Sequence, residues 1–448
     1  SGHSTPHQTR PNSTIDNSGA GMAVGAGNAV AGTGGTQGAA LSNGGSIDAT
    51  SGAITAGSGK SRINHGINFA DNRDIQATGN LNILGASTAG DGVRSIAKME
   101  AGEILTITGQ TETAGNRAVV ITSSGGLNGS LKVADSKTIH IHANALTLEG
   151  AATVVDAGAT GTVNIKTRNG NEIVVGAADT LSATLASQKL GLDQAELNRI
   201  NSGQLVLGDT ASAGPVTVAG AVTTAATTGD IRLQTGGNIA VNAALTVGDA
   251  AATKNLSLNA TGASSTVTQT AAIKANGLEL LGSNASVVLA NSGNDVQTLA
   301  GNVKSVEYFD TNALTLGTVN TAGLATSGTI KVESNASVTV SQAVSASDTT
   351  ANALVLNAGK STNAGTATGG DISFTGSGGV SVGSGGRATL FTGSVAGSTG
   401  LGIVQGNNRF NSDELLPVGY TTALGSGIYA IYRENRSLSV SFGNAAKT

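Results

Sequence analysis

Two histidines one residue apart offer the sequence's most direct route to chemistry. In Ile139-His-Ile-His142 an extended chain turns His140 and His142 to one face, where they could hold a metal together, with Asp135 the nearest further oxygen donor. Two imidazoles make only half of a tetrahedral zinc site. The same alternation turns Ile139 and Ile141 to the opposite face. The pair therefore reads first as the solvent side of a half-buried strand, and no metal ligand is assigned. His3, His7 and His65 stand alone.

Other chemical patterns fall short in similar ways. Gly57-Ser-Gly-Lys-Ser61 imitates the end of a phosphate-binding loop, but Ile54 occupies the place where the first glycine is needed, and no helix pattern follows. Polysaccharide lyases and hydrolases need carboxylates that converge, usually beside aromatic sugar platforms. Here Asp230, Asp249, Asp295 and Asp371 are scattered through positions that read as turns, where an aspartate commonly bonds its own backbone. Only Glu307-Tyr-Phe-Asp310 joins acids to aromatics, and it reads as a turn or side decoration. No tandem Gly-Gly-x-Gly-x-Asp register exists to hold calcium. Asn-x-Ser/Thr sequons at Asn12, Asn128, Asn255, Asn259, Asn284, Asn335 and Asn435 are what chance supplies in so Asn- and Ser-rich a chain. No catalytic residue and no cofactor is assigned.

Composition narrows the architecture. Of 448 residues, 66 are Gly, 4 Pro, 6 Phe, 4 Tyr and none Trp or Cys, and 12% are charged. Collagen needs Gly at every third position and abundant Pro. Helical bundles need Leu, Glu and Lys at helical spacing, and 28 acidic with 24 basic residues cannot furnish them. Disorder is opposed by 39% apolar residues set in short alternating runs. A net charge of -4 makes no basic surface, so nucleic acid is a poor partner. No apolar run approaches the ~18 residues of a membrane-spanning helix. The absence of Cys suits a large chain exported unfolded through oxidising compartments as well as it suits a cytosolic one.

From Ile47 onward the chain repeats one device, a pair of apolar residues at period two between small turn residues. Val163-Asn-Ile165, Ile231-Arg-Leu233, Leu256-Ser-Leu258, Leu278-Glu-Leu280 and Ile330-Lys-Val332 are examples. Starts at Ile231, Ile239, Leu245, Leu256, Val267 and Leu278 lie 8, 6, 11, 11 and 11 residues apart. A phrase Gly-x-[Ile/Val]-x-apolar recurs at Gly161, Gly214, Gly229, Gly328 and Gly370, and a second, Leu-[Thr/Val]-[Leu/Val]-Gly, at Leu205, Leu245 and Leu314. The pattern predicts an all-β chain, a right-handed parallel β-helix or β-solenoid, with strands of three to five residues and ~20 to 25 residues per coil. Asp193-Gln-Ala-Glu196 predicts a capping box on a short corner helix, with Leu192, Leu197 and Ile200 as its apolar face and Gly203 as its end.

The expected organisation has four parts. Residues 1–45 are a Gly-rich segment, forming either the first coils and cap or a strand packed on a neighbouring copy, and Ser1 to Pro11 read as a chain trimmed or excerpted from something larger. Residues 46–403 form the β-helix. Residues 404–436, with three of the four Tyr, form a junction or cap, and residues 437–448 begin a following module.

The last part rests on a resemblance. Phe410-Asn-Ser-Asp-Glu414, Tyr420 through Glu434, Leu438-Ser-Val-Ser-Phe442 and Asn444-Ala-Ala-Lys-Thr448 look like the junction, in large bacterial surface proteins of the filamentous haemagglutinin type, between a β-helix and MBG-type repeats. Leu192-Asp-Gln-Ala-Glu-Leu-Asn-Arg-Ile200 followed by Leu205-Val-Leu-Gly208 is similar to a phrase recurring in those β-helices. The Asn-Pro-Asn-Gly signature of that family's amino-terminal secretion domain is missing from this sequence. The resemblance implies a secreted, non-catalytic fibre or adhesin on a Gram-negative cell surface. Its partners would be an outer-membrane secretion protein, a host or matrix glycan, and other copies of itself in a homopolymer. A polysaccharide-binding or polysaccharide-degrading β-helix is the competing expectation.

Overall fold

The structure, a computed structural model, describes residues 79–436 except 88–89, 113, 125, 151–153, 183, 402–405 and 416–422, together with short strands between residues 15 and 77. The Gly57–Ser61 phrase, His3, His7, His65 and the MBG-like residues 437–448 lie outside the described residues. The chain divides into two compact units, Ser1–Ser286 and Val287–Thr448.

The protein is almost all β, and apart from the antiparallel pair Ser123–Ser124 with Leu127–Asn128 its described strands pair in parallel, as successive coils do in a β-solenoid. In the first unit one inward row runs Ile83, Ile107, Ile141, Ile165, Leu207, Leu233, Leu258, Leu280, each residue the register partner of the next. All eight are at most 1% exposed. A second row, two residues earlier on each strand, runs in parallel from Leu81 through Leu105, Ile139 and Val163 to Leu278. Rungs stand ~4.8 Å apart, so like aliphatic groups stack on like, and each buried Ile or Leu contributes about 1.5–3 kcal/mol. Regular coils advance by the predicted length: Leu233 meets Leu258, and Val332 meets Leu356. The step from Ile165 to Leu207 is longer because it contains the insertion that carries the helix.

Strands are not confined to three to five residues. Ile200–Asp209 is one strand of 10 residues that begins against Val155–Asp156 and continues against Thr162–Ile165. Asp295–Asp310, 16 residues long, pairs in turn with Leu314–Leu316, Leu324–Thr326 and Ile330–Ser334. The backbone stays extended through corners that the sequence marks as turns, so one strand serves several faces of a coil.

The recurring glycine phrase has a steric origin. Gly229 begins Gly-Asp-Ile-Arg-Leu233, and a Cβ built there would lie 1.9 Å from the carbonyl oxygen of Gly203 in the coil before it. At Gly161 the corresponding clash is 2.0 Å, with the Ala157 carbonyl. These corners bring main chain onto main chain.

Within residues 1–45, strands Ile15–Asn17, Met22–Ala23 and Ala39–Ala40 pair in parallel with Ile47–Ala49, Gly52–Thr55 and Ile67–Phe69 of the same chain. In the second unit, Gly427–Tyr432 lies in parallel register on Arg387–Thr392, and its far side carries Asn408–Arg409. Residues 407–412 cover that strand, through bonds such as Ser412 N to the Tyr432 carbonyl (3.3 Å) and stacking of Phe410 on Tyr432 (5.2 Å).

Candidate functional site

The histidine pair stands on the outward face, as the alternation predicts, with Ile139 and Ile141 fully buried beneath it. Stacking places His140 between Thr106 and Asn164, and His142 between Thr108 and Lys166. The rings are 6.0 Å apart, and His142 Nδ1 lies 3.5 Å from Thr108 Oγ1. Both imidazoles are half-buried. Burial, then the charge of Lys166, lowers the His140 pKa, and the same causes together with His140 bring His142 to about 4. Two neutral imidazoles could ligate a metal, but Asp135 turns toward Gly158 of the next coil. Among the described residues no three metal-ligating side chains come together.

Beside the histidines opens a polar groove of about 630 Å³, lined by Thr108, His142, Lys166, Arg168, Asp209 and Ser212 among others. Lys166 Nζ pairs with Asp209 Oδ2 at 2.8 Å. That bond, with the Ala211 amide, holds the Asp209 carboxyl below the usual range. Sequence reading passes over Lys166, Arg168 and Asp209 because only the coil register brings them to His142. The groove can take hydroxyl-rich or charged surface groups.

Glu307-Tyr-Phe-Asp310 is not a turn or surface decoration; it ends the long strand Asp295–Asp310. Tyr308 and Asp310 point into the coil and are 0% exposed. Tyr308 Oη donates to Asp310 Oδ2 at 2.7 Å, and the Val296 and Asn312 amides donate to the same carboxylate at 3.0 and 2.8 Å. Burial raises both pKa values. The cluster turns a coil corner. Tyr308→Phe removes one donor from a buried carboxylate and is expected to cost about 1.5–3 kcal/mol, measured by urea unfolding of the full chain.

The scattered aspartates are structural, and most bond beyond their own turn. Asp249 accepts from Ala251 N at 2.7 Å, the local bond the sequence suggests. Asp230, by contrast, lies in a strand and accepts from Asn255 N (2.9 Å) and Nδ2 (3.1 Å) of the next coil, while Asp371 accepts from Ser394 N (2.7 Å).

The capping box is present. Asp193 Oδ1 accepts from Glu196 N at 2.9 Å, and Glu196 Oε2 from Asp193 N at 3.1 Å. The helix is a single turn, Gln194–Leu197. Leu192 and Ile200 belong to flanking strands rather than to its face, and Gly203 lies inside the next strand. Glu196 also accepts from Leu148 N (3.2 Å) and Asp179 from Leu146 N (3.0 Å), roles that local sequence does not announce.

No protein-family model, curated protein or solved structure matches this chain.

Proposed function

We propose that this chain is a non-catalytic structural or adhesive segment of a secreted bacterial surface fibre, of the filamentous haemagglutinin type its phrases resemble, and that its coils wind right-handed. Parallel strands joined by crossovers are right-handed in nearly all proteins, which supports the winding. The observation that carries the function is the unbroken aliphatic ladder from Ile83 to Leu280. Such a core extends by adding identical rungs, and nothing about it requires a reaction centre.

Several outward charges are neutralised along the stack, as where Lys331 meets Glu307 of the neighbouring coil (2.9 Å). Partners in this reading are an outer-membrane secretion protein, a host or matrix glycan and further copies of the chain. The groove beside His142 favours a second reading, a polysaccharide-binding surface.

The test combines electron microscopy of the purified chain with glycan binding and polysaccharide turnover. Elongated particles or filaments without turnover are expected, and saturable binding weakened by Arg168→Ala would favour the groove reading. Product release abolished by substituting Asp or Glu would overturn the proposal.

A further inference from the structure

Among the described residues, strand Leu146–Leu148 pairs with Val119–Ile121 on one side and forms no strand ladder with Leu190–Leu192 on the other. Strand Leu190–Leu192 pairs with Ile173–Val175 on one side and lies near Leu146–Leu148 on the other. Across that second junction the amides of Leu146 and Leu148 donate to side chains, Asp179 Oδ2 at 3.0 Å and Glu196 Oε1 at 3.2 Å. The remaining oxygens are also occupied: Asp179 Oδ1 accepts from Gly191 N (2.8 Å) and Glu196 Oε2 from Asp193 N (3.1 Å). Two carboxylates thus stand where a rung of peptide bonds would, the Asp179 side chain 3% exposed and Glu196 partly buried.

We propose that this seam is a proton-operated latch, tightest in acid and loosened as the solution reaches neutrality, which frees Asp179, strand Leu190–Leu192 and Glu196 from the edge of Leu146–Leu148. A neutral carboxyl keeps lone pairs for these amides and sheds the charge that burial penalises. Arg117 Nε, 3.4 Å from Asp179 Oδ2, is the cation that faces the pair. Asp193 faces Glu196 from the helix cap and adds repulsion. On the neighbouring elements Lys189 is tied to Glu172 (2.6 Å), Glu149 accepts from Thr122 (3.1 Å), and Arg199 donates to the Ala195 carbonyl.

Burial first of all raises Asp179 from 3.8, and Glu196 from 4.5, to about 7, with Asp179 adding to the rise at Glu196. Once open to water, both groups return to ordinary values. The closed seam then binds protons more tightly than the open one. Its stability is full below about pH 4, falls as pH rises through the window up to about pH 7, and stays low above it.

The test is hydrogen exchange of the full chain at about pH 5 and about pH 8, corrected for the intrinsic exchange rate and read as protection of the Leu146 and Leu148 amides. Protection is expected to be at least about tenfold lower at the higher pH, one pK unit being tenfold. The Leu205 and Leu207 amides should change less than about twofold. Equal protection at both pH values, or the same loss throughout the unit, overturns the latch. Asp179→Asn with Glu196→Gln should abolish the difference. Should that pair fail to fold, Arg117→Gln serves instead: it removes the facing cation and must enlarge the loss between the two pH values, and an unchanged ratio overturns the proposal.

Discussion

Arg433→Ala is expected to destabilise the second unit by about 3–5 kcal/mol. Arg433 follows strand Gly427–Tyr432 and is 0% exposed. Its Nη1 donates to the Ala358 carbonyl and its Nη2 to the Gly370 carbonyl, each at 2.6 Å, while its own amide and carbonyl bond Thr392 and Gly365. One planar guanidinium thus ties together segments that are 63 and 75 residues away in sequence. Burial lowers its pKa, and the fields of Glu414, Asp371 and Asp413 oppose that shift.

Truncation leaves two buried carbonyls without donors and a void where the stem lay. Lysine would not restore the site, because a single ammonium cannot present two donors in a fixed fork. Hydrogen exchange at Leu356 and Leu390 in the full chain reads the effect. If Arg433→Ala leaves their protection unchanged, the residue is not the fastener described.

Gly229→Ala should cost about 3 kcal/mol, at the upper end of overpacking. The new methyl would meet the Gly203 oxygen at 1.9 Å and its carbonyl carbon at 2.4 Å, and neither belongs to a side chain that can swing away. Relief requires the two coils to part, which breaks the register of Leu205 with Ile231 and Leu207 with Leu233. Gly379→Ala is the control, since a Cβ there meets nothing within 4 Å. Urea midpoints of the two variants should differ clearly, with the control near the parent. Equal midpoints would show that the corner has room to spare.

The inward rows are legible in the sequence because period two is a local property. Val163-Asn-Ile165 and Ile231-Arg-Leu233 declare their buried faces without knowledge of their neighbours. The glycine phrases are legible for a related reason, since close approach of main chain to main chain, as of Gly229 to Gly203, recurs at several corners. Strand length is not legible, because Ser202 and Gly203 look like a turn while their backbone stays extended round a corner. Nor is the burial of Tyr308 and Asp310, which alternation leaves open until the corner bonds to Val296 and Asn312 are known.

The candidate site was half visible. His140 and His142 could be placed on one face, but Lys166 and Asp209 reach His142 only through stacking of coils 24 and 43 residues apart. Asp193 and Glu196 advertised a helix start, and the same Glu196 carboxylate proved to hold the amide of Leu148, 48 residues earlier. Side chains that bridge coils leave no local pattern, since only the number of residues per turn decides which pair will meet.

The stacking of Val332 on Leu356, and of Leu356 on the next rung at Leu390, bears on how the chain answers force. Each coil is fastened chiefly to the one before and the one after, so tension applied to a free end loads a single rung at a time. The chain should lengthen in discrete jumps, one coil per jump. A regular coil spans 24 residues, from Val332 to Leu356. At ~3.3–3.6 Å per residue such a coil would pay out roughly 80 Å of slack, and longer jumps would mark the coils that carry insertions.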